Sequence, residues 1–220
     1  MKRIVFQGPW IQASACLLAS VFFSSACAEN LRFPAATVMN VKTQFGAAGN
    51  NSTNDQPAIQ RAIDTAMVNH TTIYFPNGTY LVRDKITFDT SMYTAQGICL
   101  QGQSQNGVVI KLADNATGYG DPIVRKPLCS MFEGLYSNIA MHCYVRNMTF
   151  DAGSGNPGAI GLQYMVSNIG AVYNVTIRSS DPQHRGAIGL DCRDFFVGPG
   201  LVLQRKLFNS SEFHQSPFTM

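Results

Sequence analysis

Val145-Arg-Asn-Met-Thr-Phe150 recurs later in the chain as Val172-Tyr-Asn-Val-Thr-Ile177. A second pair follows in the same order and at nearly the same spacing, because Gly158-Ala-Ile-Gly-Leu162 recurs as Gly186-Ala-Ile-Gly-Leu190. Repeats spaced by about 20 to 50 residues, as these are, mark stacked supersecondary units. Each unit here contains strand-like segments and no helix, so the repeat predicts a solenoid built from coils of β-strands.

Short strand-like segments separated by Gly or Asn fill the chain around this repeat, at 72–75, 79–82, 86–88, 97–100 and 107–112. Taken alone, this spacing fits a sandwich, a barrel or a solenoid; the repeat selects the solenoid. Asn147 and Asn174 take the same place in successive coils, so we expect their amides to form a hydrogen-bonded ladder at a corner. The stretch from Thr72 to Leu203 is long enough for about five coils.

One amphipathic helix is predicted ahead of the strands. Thr53, Asn54 and Asp55 are helix-capping residue types, and Pro57 is tolerated in a first turn. Apolar residues then recur at steps of three and four, at Ile59, Ala62, Ile63, Ala66 and Met67. A solenoid has open ends, so we expect this helix to cap the first coil. Residues 204–220 show neither strand alternation nor a helix of this kind, and we predict an irregular tail there.

Residues 1–28 have the three parts of an export signal. Lys2-Arg3 is followed by an apolar run at 13–23 and by the small-x-small site Ala26-Cys27-Ala28. A membrane anchor is the alternative, but this run is much shorter than the roughly 20 residues that a span needs. We therefore expect signal cleavage, a secreted chain from residue 29 onward and no membrane span; lipid attachment at Cys27 is a second alternative.

Composition and charge exclude several classes of protein. With 45% hydrophobic and 13% charged residues, the chain is not disordered. Loss of Lys2 and Arg3 with the signal lowers the formal charge from +3 to +1. Such a chain has no basic face for phosphate backbones, so nucleic acid is not an expected partner. We expect a monomer.

Four cysteines, Cys99, Cys129, Cys143 and Cys192, remain after the signal. An exported chain can form disulfides, and four cysteines allow three pairings, of which Cys129 with Cys143 is the most local. Small buried thiols are the alternative, and the sequence does not choose. No Cys-x-x-Cys or His-x-x-x-His spacing supports a zinc site. Asn-x-Ser/Thr triplets, which can carry glycans in a eukaryotic host, begin at Asn50, Asn51, Asn69, Asn77, Asn115, Asn147, Asn174 and Asn209.

The segment from Asn40 to Ile63 and the hairpin Ile73-Tyr-Phe-Pro-Asn-Gly-Thr-Tyr-Leu-Val82 resemble the opening of the pectate lyase superfamily domain, in its rhamnogalacturonase- and epimerase-like branch. The resemblance runs from about residue 37 to 203. It implies an all-β fold, a right-handed parallel β-helix of the pectin-lyase type with an N-terminal capping helix. The acidic turn of the family reads Gly49-Asn-Asn-Ser52 here, without a carboxylate.

This resemblance also implies a secreted protein that acts on pectin-like or other cell-wall polysaccharide. Family enzymes continue for many more coils, so we expect residues 29–203 to be the N-terminal part of a domain truncated at its C-terminus. Two alternatives stay open: a non-catalytic β-helix for polysaccharide binding or adhesion, and an inactive fragment of an enzyme.

Two reactions fit such a protein. Hydrolysis needs two carboxyl groups about 5 to 10 Å apart, whereas β-elimination needs a base, Lys or Arg in this superfamily, often with Ca²⁺. The Asn-Thr-Asp, Asp-Asp, Gly-His-Gly and Arg-Ile-Lys signatures of polygalacturonase-type hydrolases do not occur in the chain. The resemblance therefore transfers no catalytic residue.

The candidate site residues come instead from the densest polar cluster late in the chain. These candidates are Asp181, Arg185, Asp191 and Asp194, with His184 among them. Asp191 follows the repeated Gly-Ala-Ile-Gly-Leu, where the earlier coil has Gln163. Asp151 is predicted to hold a turn. Five tyrosines can stack on sugar rings if they are exposed, or pack on the coils if they are not: Tyr119, Tyr136, Tyr144, Tyr164 and Tyr173.

Overall fold

A computed structural model of the protein describes residues 29–34, 37–88, 97–132, 140–166 and 169–192, and the backbone of 202–203. Within these residues lie one helix, α1 (Gln56–Asn69), and the strands β1 (Met39–Asn40), β2 (Asn50–Asn54), β3 (Thr72–Phe75), β4 (Gly78–Val82), β5 (Ile86–Thr87), β6 (Cys99–Gly102), β7 (Val108–Leu112), β8 (Lys126–Met131), β9 (Tyr144–Asp151), β10 (Ala159–Tyr164), β11 (Ala171–Arg178), β12 (Ile188–Asp191) and β13 (Val202–Leu203). The predicted signal at 1–28, the predicted tail at 204–220, Tyr136 and Asp194 lie outside the described residues.

Every strand pair is parallel, and the strands stack into three sheets. The first sheet has the order β1-β3-β6-β9-β11-β13, the second β2-β4-β7-β9, and the third β5-β8-β10-β12. Strands β9 and β11 are long, and their C-terminal halves continue from the first sheet into the second. The chain passes through the three sheets in turn about five times, so the predicted parallel β-solenoid is confirmed.

The register explains why the two repeat spacings differ by one. In the first sheet Val172 pairs with Val145, and in the third sheet Ile188 pairs with Ile160. The separation along the chain is one residue longer for the second pair than for the first. The additional residue belongs to the turn between the second and third sheets, which runs over 179–186 in the later coil. The number of residues per repeat is therefore fixed where strands pair, and it varies in the turns between them.

The predicted asparagine ladder lies at the corner between the first and second sheets. The Nδ2 group of Asn174 donates a hydrogen bond of 2.8 Å to Oδ1 of Asn147, and Asn147 is buried. Both residues have positive φ, 54° at Asn147 and 53° at Asn174. Asn tolerates this left-handed conformation better than most side chains, so one residue type satisfies both the backbone bend and the buried amide.

The turns that lead into four strands of the first sheet, β3, β6, β9 and β11, also contain a left-handed residue. His70, Gly97, His142 and Ile169 have φ of 50°, 71°, 56° and 57°, and each stands two residues before a strand of the first sheet. Ile169 is the unfavourable member, because a β-branched side chain in this region costs about 1–2 kcal/mol.

Helix α1 covers the start of the solenoid, as predicted. Its buried face consists of Ala58, Ile59, Ala62, Ile63, Ala66 and Met67. The side chain of Gln60 pairs with the backbone of Thr87 on β5: Nε2 donates to the Thr87 carbonyl at 2.7 Å, and Oε1 accepts from its amide at 3.1 Å. The helix thus supplies hydrogen-bonding partners to the lowest strand of the third sheet, which has no coil below it to pair with.

Asp55 takes the N-cap position, yet its side chain makes no capping bond to the helix. Its carboxylate is buried and accepts the amides of Ala48, at 2.6 Å, and Gly49, at 2.9 Å. Asn54 Oδ1 instead accepts the amide of Gln56, at 3.3 Å. The Gly-rich turn has no acidic residue of its own. The Asp55 carboxylate, which follows the turn in the chain, binds its backbone instead.

The four cysteines are free thiols, so the most local pairing, Cys129 with Cys143, is not formed. Cys99, Cys129 and Cys143 are buried, and Cys192 is partly buried. Burial raises the pKa of the Cys143 thiol to about 11 and of the other three to about 12. They pack as small apolar side chains with low thiolate character.

In the described part of the chain, no helix has the length and apolarity required to cross a membrane.

Candidate functional site

Asp181 and Arg185, two of the predicted site residues, form an ion pair at the corner between the second and third sheets. Arg185 donates from Nε to Asp181 Oδ1 at 3.2 Å and from Nη2 to Oδ2 at 3.1 Å. The amides of Gly155 and Gln183 donate to the same carboxylate at 2.9 and 2.8 Å. Gly155 belongs to the turn one coil earlier, so Asp181 links two successive turns.

These partners fix the charge of Asp181. The Arg185 guanidinium first, and then the Gly155 amide, hold the pKa of the Asp181 carboxyl well below its usual range, against a smaller opposing effect of burial. The Asp181 side chain is inaccessible to solvent, while that of Arg185 is 51% exposed. A carboxylate so fully hydrogen-bonded has little capacity left to take a proton or to bind a sugar.

A second pair, Asp151 with Arg178, lies one strand earlier at this corner. Asp151 Oδ2 accepts from Arg178 Nε at 2.9 Å, and Oδ1 accepts the amides of Gly153 and Ser180, each at 3.0 Å. The prediction that Asp151 holds a turn is confirmed. We call Asp151, Arg178, Asp181 and Arg185 together the charged corner.

His184 contributes its backbone to this corner, because its amide donates to the Asp181 carbonyl at 2.8 Å. The residue is exposed and has φ of 53°. With Gly161, Ile177 and Gly189 it lines a small cavity beside the third sheet. A Cβ at Gly161 would overlap the side chain of Ile177, so only glycine fits at this position.

Asp191 occupies a different place, on β12 of the third sheet. It lies in register with Gln163 on β10, which lies in register with Ser130 on β8, which in turn lies in register with Thr87 on β5. The residues on either side of this line belong to the apolar core: Ile86 and Phe88, Cys129 and Met131, Leu162 and Tyr164. Because side chains alternate across a strand, the line itself faces outward. We call Thr87, Ser130, Gln163 and Asp191 the outer row.

The outer row presents polar groups on four successive coils. Ser130 Oγ donates a hydrogen bond of 2.6 Å to Gln163 Oε1. Gln163 and Thr87 are partly exposed, whereas Ser130 is buried and Asp191 is 3% exposed. The Asp191 charge adds to burial in raising the pKa of the neighbouring Cys192 thiol. An outward line of hydroxyl, amide and carboxylate groups has the chemistry of a carbohydrate-binding surface.

The described residues contain no group of three or more His, Cys, Asp or Glu side chains arranged to hold a metal ion. The two carboxylates of the charged corner, Asp151 and Asp181, are bound to arginines and backbone amides. Among the described residues there is thus no ligand set for the Ca²⁺ that the family resemblance implies for a lyase.

The tyrosines divide into two groups. Tyr119 and Tyr164 are buried, with hydroxyls that donate to the carbonyls of Pro127, at 3.0 Å, and Cys143, at 2.8 Å, and burial raises the pKa of both. Tyr173 is 43% exposed, and Tyr144 is partly exposed. Tyr144 and Tyr173 both lie on the first sheet, next to Arg146.

Tyr144, Arg146 and Tyr173 form what we call the tyrosine–arginine patch. Their strand neighbours Val145 and Val172 are in the core, so the three side chains face outward. The Arg146 guanidinium lies 4.3 Å from the ring centre of Tyr144, and Tyr173 stands beside Arg146 on the next coil. Aromatic rings and a guanidinium on one flat sheet face are the groups that stack on sugars and bind carboxylates.

Comparison with known proteins gives both relatives and a family. Mannuronan C5-epimerase AlgE3 of Azotobacter vinelandii is 31% identical over 158 residues, which cover 71% of this chain and 8% of the relative. Mannuronan C5-epimerase AlgE1 of the same organism is 31% identical over 156 residues, which cover 70% of this chain and 11% of the relative. The chain thus spans about a tenth of the length of these curated relatives.

Solved structures similar to this chain include the A-module of the Azotobacter vinelandii mannuronan C-5 epimerase AlgE4, with a TM-score of 0.47 and 21% identity, covering 65% of this chain and 40% of that one. An iota-carrageenase complexed to iota-carrageenan fragments has a TM-score of 0.44 and 22% identity, covering 68% and 30%. The model of the family described as rhamnogalacturonase A/epimerase, pectate lyase-like, matches residues 38–195, which is most of the chain. The chain belongs to the rhamnogalacturonase A/epimerase, pectate lyase-like family.

Proposed function

We propose that this protein binds and acts on an acidic polysaccharide, a pectin-like or mannuronan-like chain of uronate sugars, outside the cell. The observation that carries the proposal is the 31% identity, over about 70% of the chain, to two enzymes named for their action on mannuronan. The outer row of the third sheet supports a sugar ligand, because its hydroxyl and amide groups are of the kinds that form hydrogen bonds with sugar hydroxyls. The signal-like segment at 1–28 supports action after export.

Among the reactions that suit a uronate, proton abstraction agrees better with the described residues than hydrolysis does. Hydrolysis uses two carboxyl groups on either side of the glycosidic bond. In the described outer row Asp191 is the single carboxylate, and the carboxylates of the charged corner are engaged by Arg178 and Arg185. One base is enough to remove the proton from the carbon that bears the uronate carboxylate.

Two outcomes share that first step. In β-elimination the electron pair of the broken C–H bond forms a C=C bond and expels the glycosidic oxygen, which leaves an unsaturated uronate. In C5-epimerisation the carbon takes a proton from water on the opposite face, and no glycosidic bond breaks. We assign Asp191 as the group that takes the proton and the partly exposed Gln163 as a hydrogen-bonding partner of the sugar, with buried Ser130 orienting the Gln163 amide.

The test incubates the purified chain with polygalacturonate, polymannuronate, rhamnogalacturonan and a neutral β-glucan. Absorbance of unsaturated uronate reports β-elimination, new reducing ends without that absorbance report hydrolysis, and proton NMR of the C5 position reports epimerisation. We expect one of the two proton-abstraction products from a uronate polymer and none from the β-glucan.

The variant Asp191→Asn keeps the shape of the side chain and removes the base, so we expect it to lose product formation by about 100-fold or more. Asp64→Asn is the matched control, because Asp64 is exposed on α1 and bonds to Gln60 of the same helix. Activity that survives in Asp191→Asn would contradict the assignment of the base. Binding of a uronate polymer without any product would point to the non-catalytic alternative, and absence of binding to all uronate polymers would contradict the proposed function itself.

A further inference from the structure

We propose that the tyrosine–arginine patch on the first sheet is a second binding surface for the anionic polysaccharide, separate from the outer row on the third sheet. The proposal rests on the proposed function for the identity of the ligand as a uronate chain. It differs from that function in assigning a binding surface on another face of the solenoid, built from Tyr144, Arg146 and Tyr173.

The face of the first sheet that carries the patch is covered on its earlier coils and exposed on its later ones. Tyr74, Gln101, Arg146 and Tyr173 form one outward line across four coils. Tyr74 and Gln101 are each 5% exposed, Arg146 is partly exposed and Tyr173 is 43% exposed. The line is thus closed on its earlier coils and open on its later ones.

The chain's own segment 29–34 closes the earlier part. Phe33 packs edge-to-face on Tyr74, with ring centres 5.2 Å apart, and the Tyr74 hydroxyl donates to the Leu31 carbonyl at 2.8 Å. The Leu31 amide donates to the Gln103 carbonyl at 2.8 Å. An extended chain can therefore lie along this face, using one ring stack and a few hydrogen bonds, and the later part of the same line has the same aromatic character without that cover.

The positive charge of Arg146 also suits an anionic ligand. Across the described residues no carboxylate forms an ion pair with Arg146, in contrast to Arg178 and Arg185. The guanidinium lies instead over the Tyr144 ring, which orients it without neutralising it. An oriented cation on one tyrosine ring, with a second tyrosine on the neighbouring coil, is complementary to a ligand that combines sugar faces with carboxylates, and a uronate chain has that pattern.

A neutral glucan lacks the carboxylate, and a peptide strand would need the backbone groups of a sheet edge rather than the outward face of the sheet. The ligand of the patch is therefore an extended oligouronate. Tyr173 stacks on a sugar ring, and Arg146 binds the carboxylate of a neighbouring sugar.

The experiment measures the dissociation constant of an oligouronate of about six sugars, prepared from polygalacturonate and separately from polymannuronate, by titration calorimetry on the full chain. Arg146→Gln removes the charge and keeps the side-chain length, and Tyr173→Ala removes the ring. We expect each variant to bind about tenfold more weakly. The binding of Arg146→Gln should also depend less on salt concentration.

Matched controls separate these effects from general damage. Tyr173→Phe keeps the ring, and Arg83→Gln removes a positive charge from an exposed arginine in the turn between the second and third sheets. Both should bind as the original chain does, and all four variants should show its circular dichroism spectrum and melting temperature.

Equal affinity of the original chain, Arg146→Gln and Tyr173→Ala would overturn this proposal and leave the proposed function intact. Equal affinity for a neutral glucan oligomer would overturn the assigned ligand. Failure of the original chain to bind any oligouronate would overturn the proposed function, and this proposal with it.

Discussion

The charged corner and the tyrosine–arginine patch both contain arginines, and they use them in opposite ways. At the corner Arg178 and Arg185 each bind a carboxylate that also accepts backbone amides, at distances of 2.8 to 3.2 Å. On the patch Arg146 contacts a tyrosine ring. Arginine thus stabilises the fold at the charged corner, where a carboxylate of the chain binds it. Arg146 on the patch contacts a ring instead, and its charge is available to bind a ligand.

This contrast predicts a separation of effects. Variants of the charged corner should lower stability and leave polysaccharide affinity unchanged, whereas variants of the patch should lower affinity and leave stability unchanged.

The largest effect is expected from Asp151→Ala. The substitution leaves the amides of Gly153 and Ser180 and the Arg178 guanidinium without their acceptor. We expect the free energy of unfolding to fall by about 3 kcal/mol, measured by chemical denaturation. Asp64→Ala on the exposed face of α1 is the control and should change it by less than about 0.5 kcal/mol. Loss of oligouronate binding by a fully folded Asp151→Ala chain would erase the proposed division between the two regions.

The asparagine ladder gives the next largest effect. Asn147→Ala removes a buried hydrogen bond and places a Cβ without a polar tip at φ of 54°, and we expect a loss of about 2–3 kcal/mol. Asn147→Gly removes the same bond but relieves the conformational penalty, so it should lose about 1 kcal/mol less than Asn147→Ala. Identical losses in a denaturation series would show that the left-handed backbone is not what selects Asn at this corner.

Ile169 offers a stabilising change. Its φ of 57° suits Asn better than a β-branched side chain, and its side chain is exposed. We expect Ile169→Asn to raise the free energy of unfolding by about 1 kcal/mol, and Ile169→Val, which keeps the branch, to leave it unchanged. A destabilised Ile169→Asn chain would mean that the Ile169 side chain makes packing contacts that outweigh the backbone penalty.

The smallest signal is the pH dependence that Asp181 contributes. Because the pKa of Asp181 is lower in the folded chain than in the unfolded chain, its stabilisation is complete above the ordinary pKa of Asp and disappears as the pH falls through the folded value. The difference in melting temperature between the original chain and Asp181→Asn should therefore be nearly constant above about pH 4 and shrink as the pH falls below it, over a range such as pH 5 to pH 3. A difference that stays constant over this range would contradict an ionised, arginine-bound Asp181.

Much of the fold could be predicted from the sequence, because the decisive features are periodic. Strand β3 has the predicted bounds, α1 buries the predicted stripe, and Asn147 and Asn174 pair as their equivalent places in the repeat required. These features depend on neighbours at a fixed distance along the chain, which a single sequence displays directly.

The candidate site was less accessible, because its residues are brought together by loops of unequal length. The steps along the chain from Thr87 to Ser130, from Ser130 to Gln163 and from Gln163 to Asp191 become progressively shorter, so no constant period marks the outer row. The pair Asp181–Arg185 was visible as neighbours in sequence, but the amides that engage Asp181 come partly from the previous coil.

The sequence also could not show which of the strand tyrosines are exposed. Tyr164 and Tyr173 are both strand tyrosines, yet Tyr164 fills the inside of a corner with its hydroxyl on the Cys143 carbonyl, while Tyr173 stands outside. Which of two alternating faces turns inward depends on the register of the whole stack. The tyrosines that can meet a sugar were therefore identified by the fold.

The most direct test of the account is the affinity of the original chain for an oligouronate, compared with a neutral β-glucan oligomer of the same length, at low and at high salt. We predict measurable binding of the oligouronate that weakens as salt screens the Arg146–carboxylate attraction, and no binding of the glucan. Equal affinity for the two oligomers, or binding of neither, would contradict the claim that this β-solenoid recognises an acidic polysaccharide.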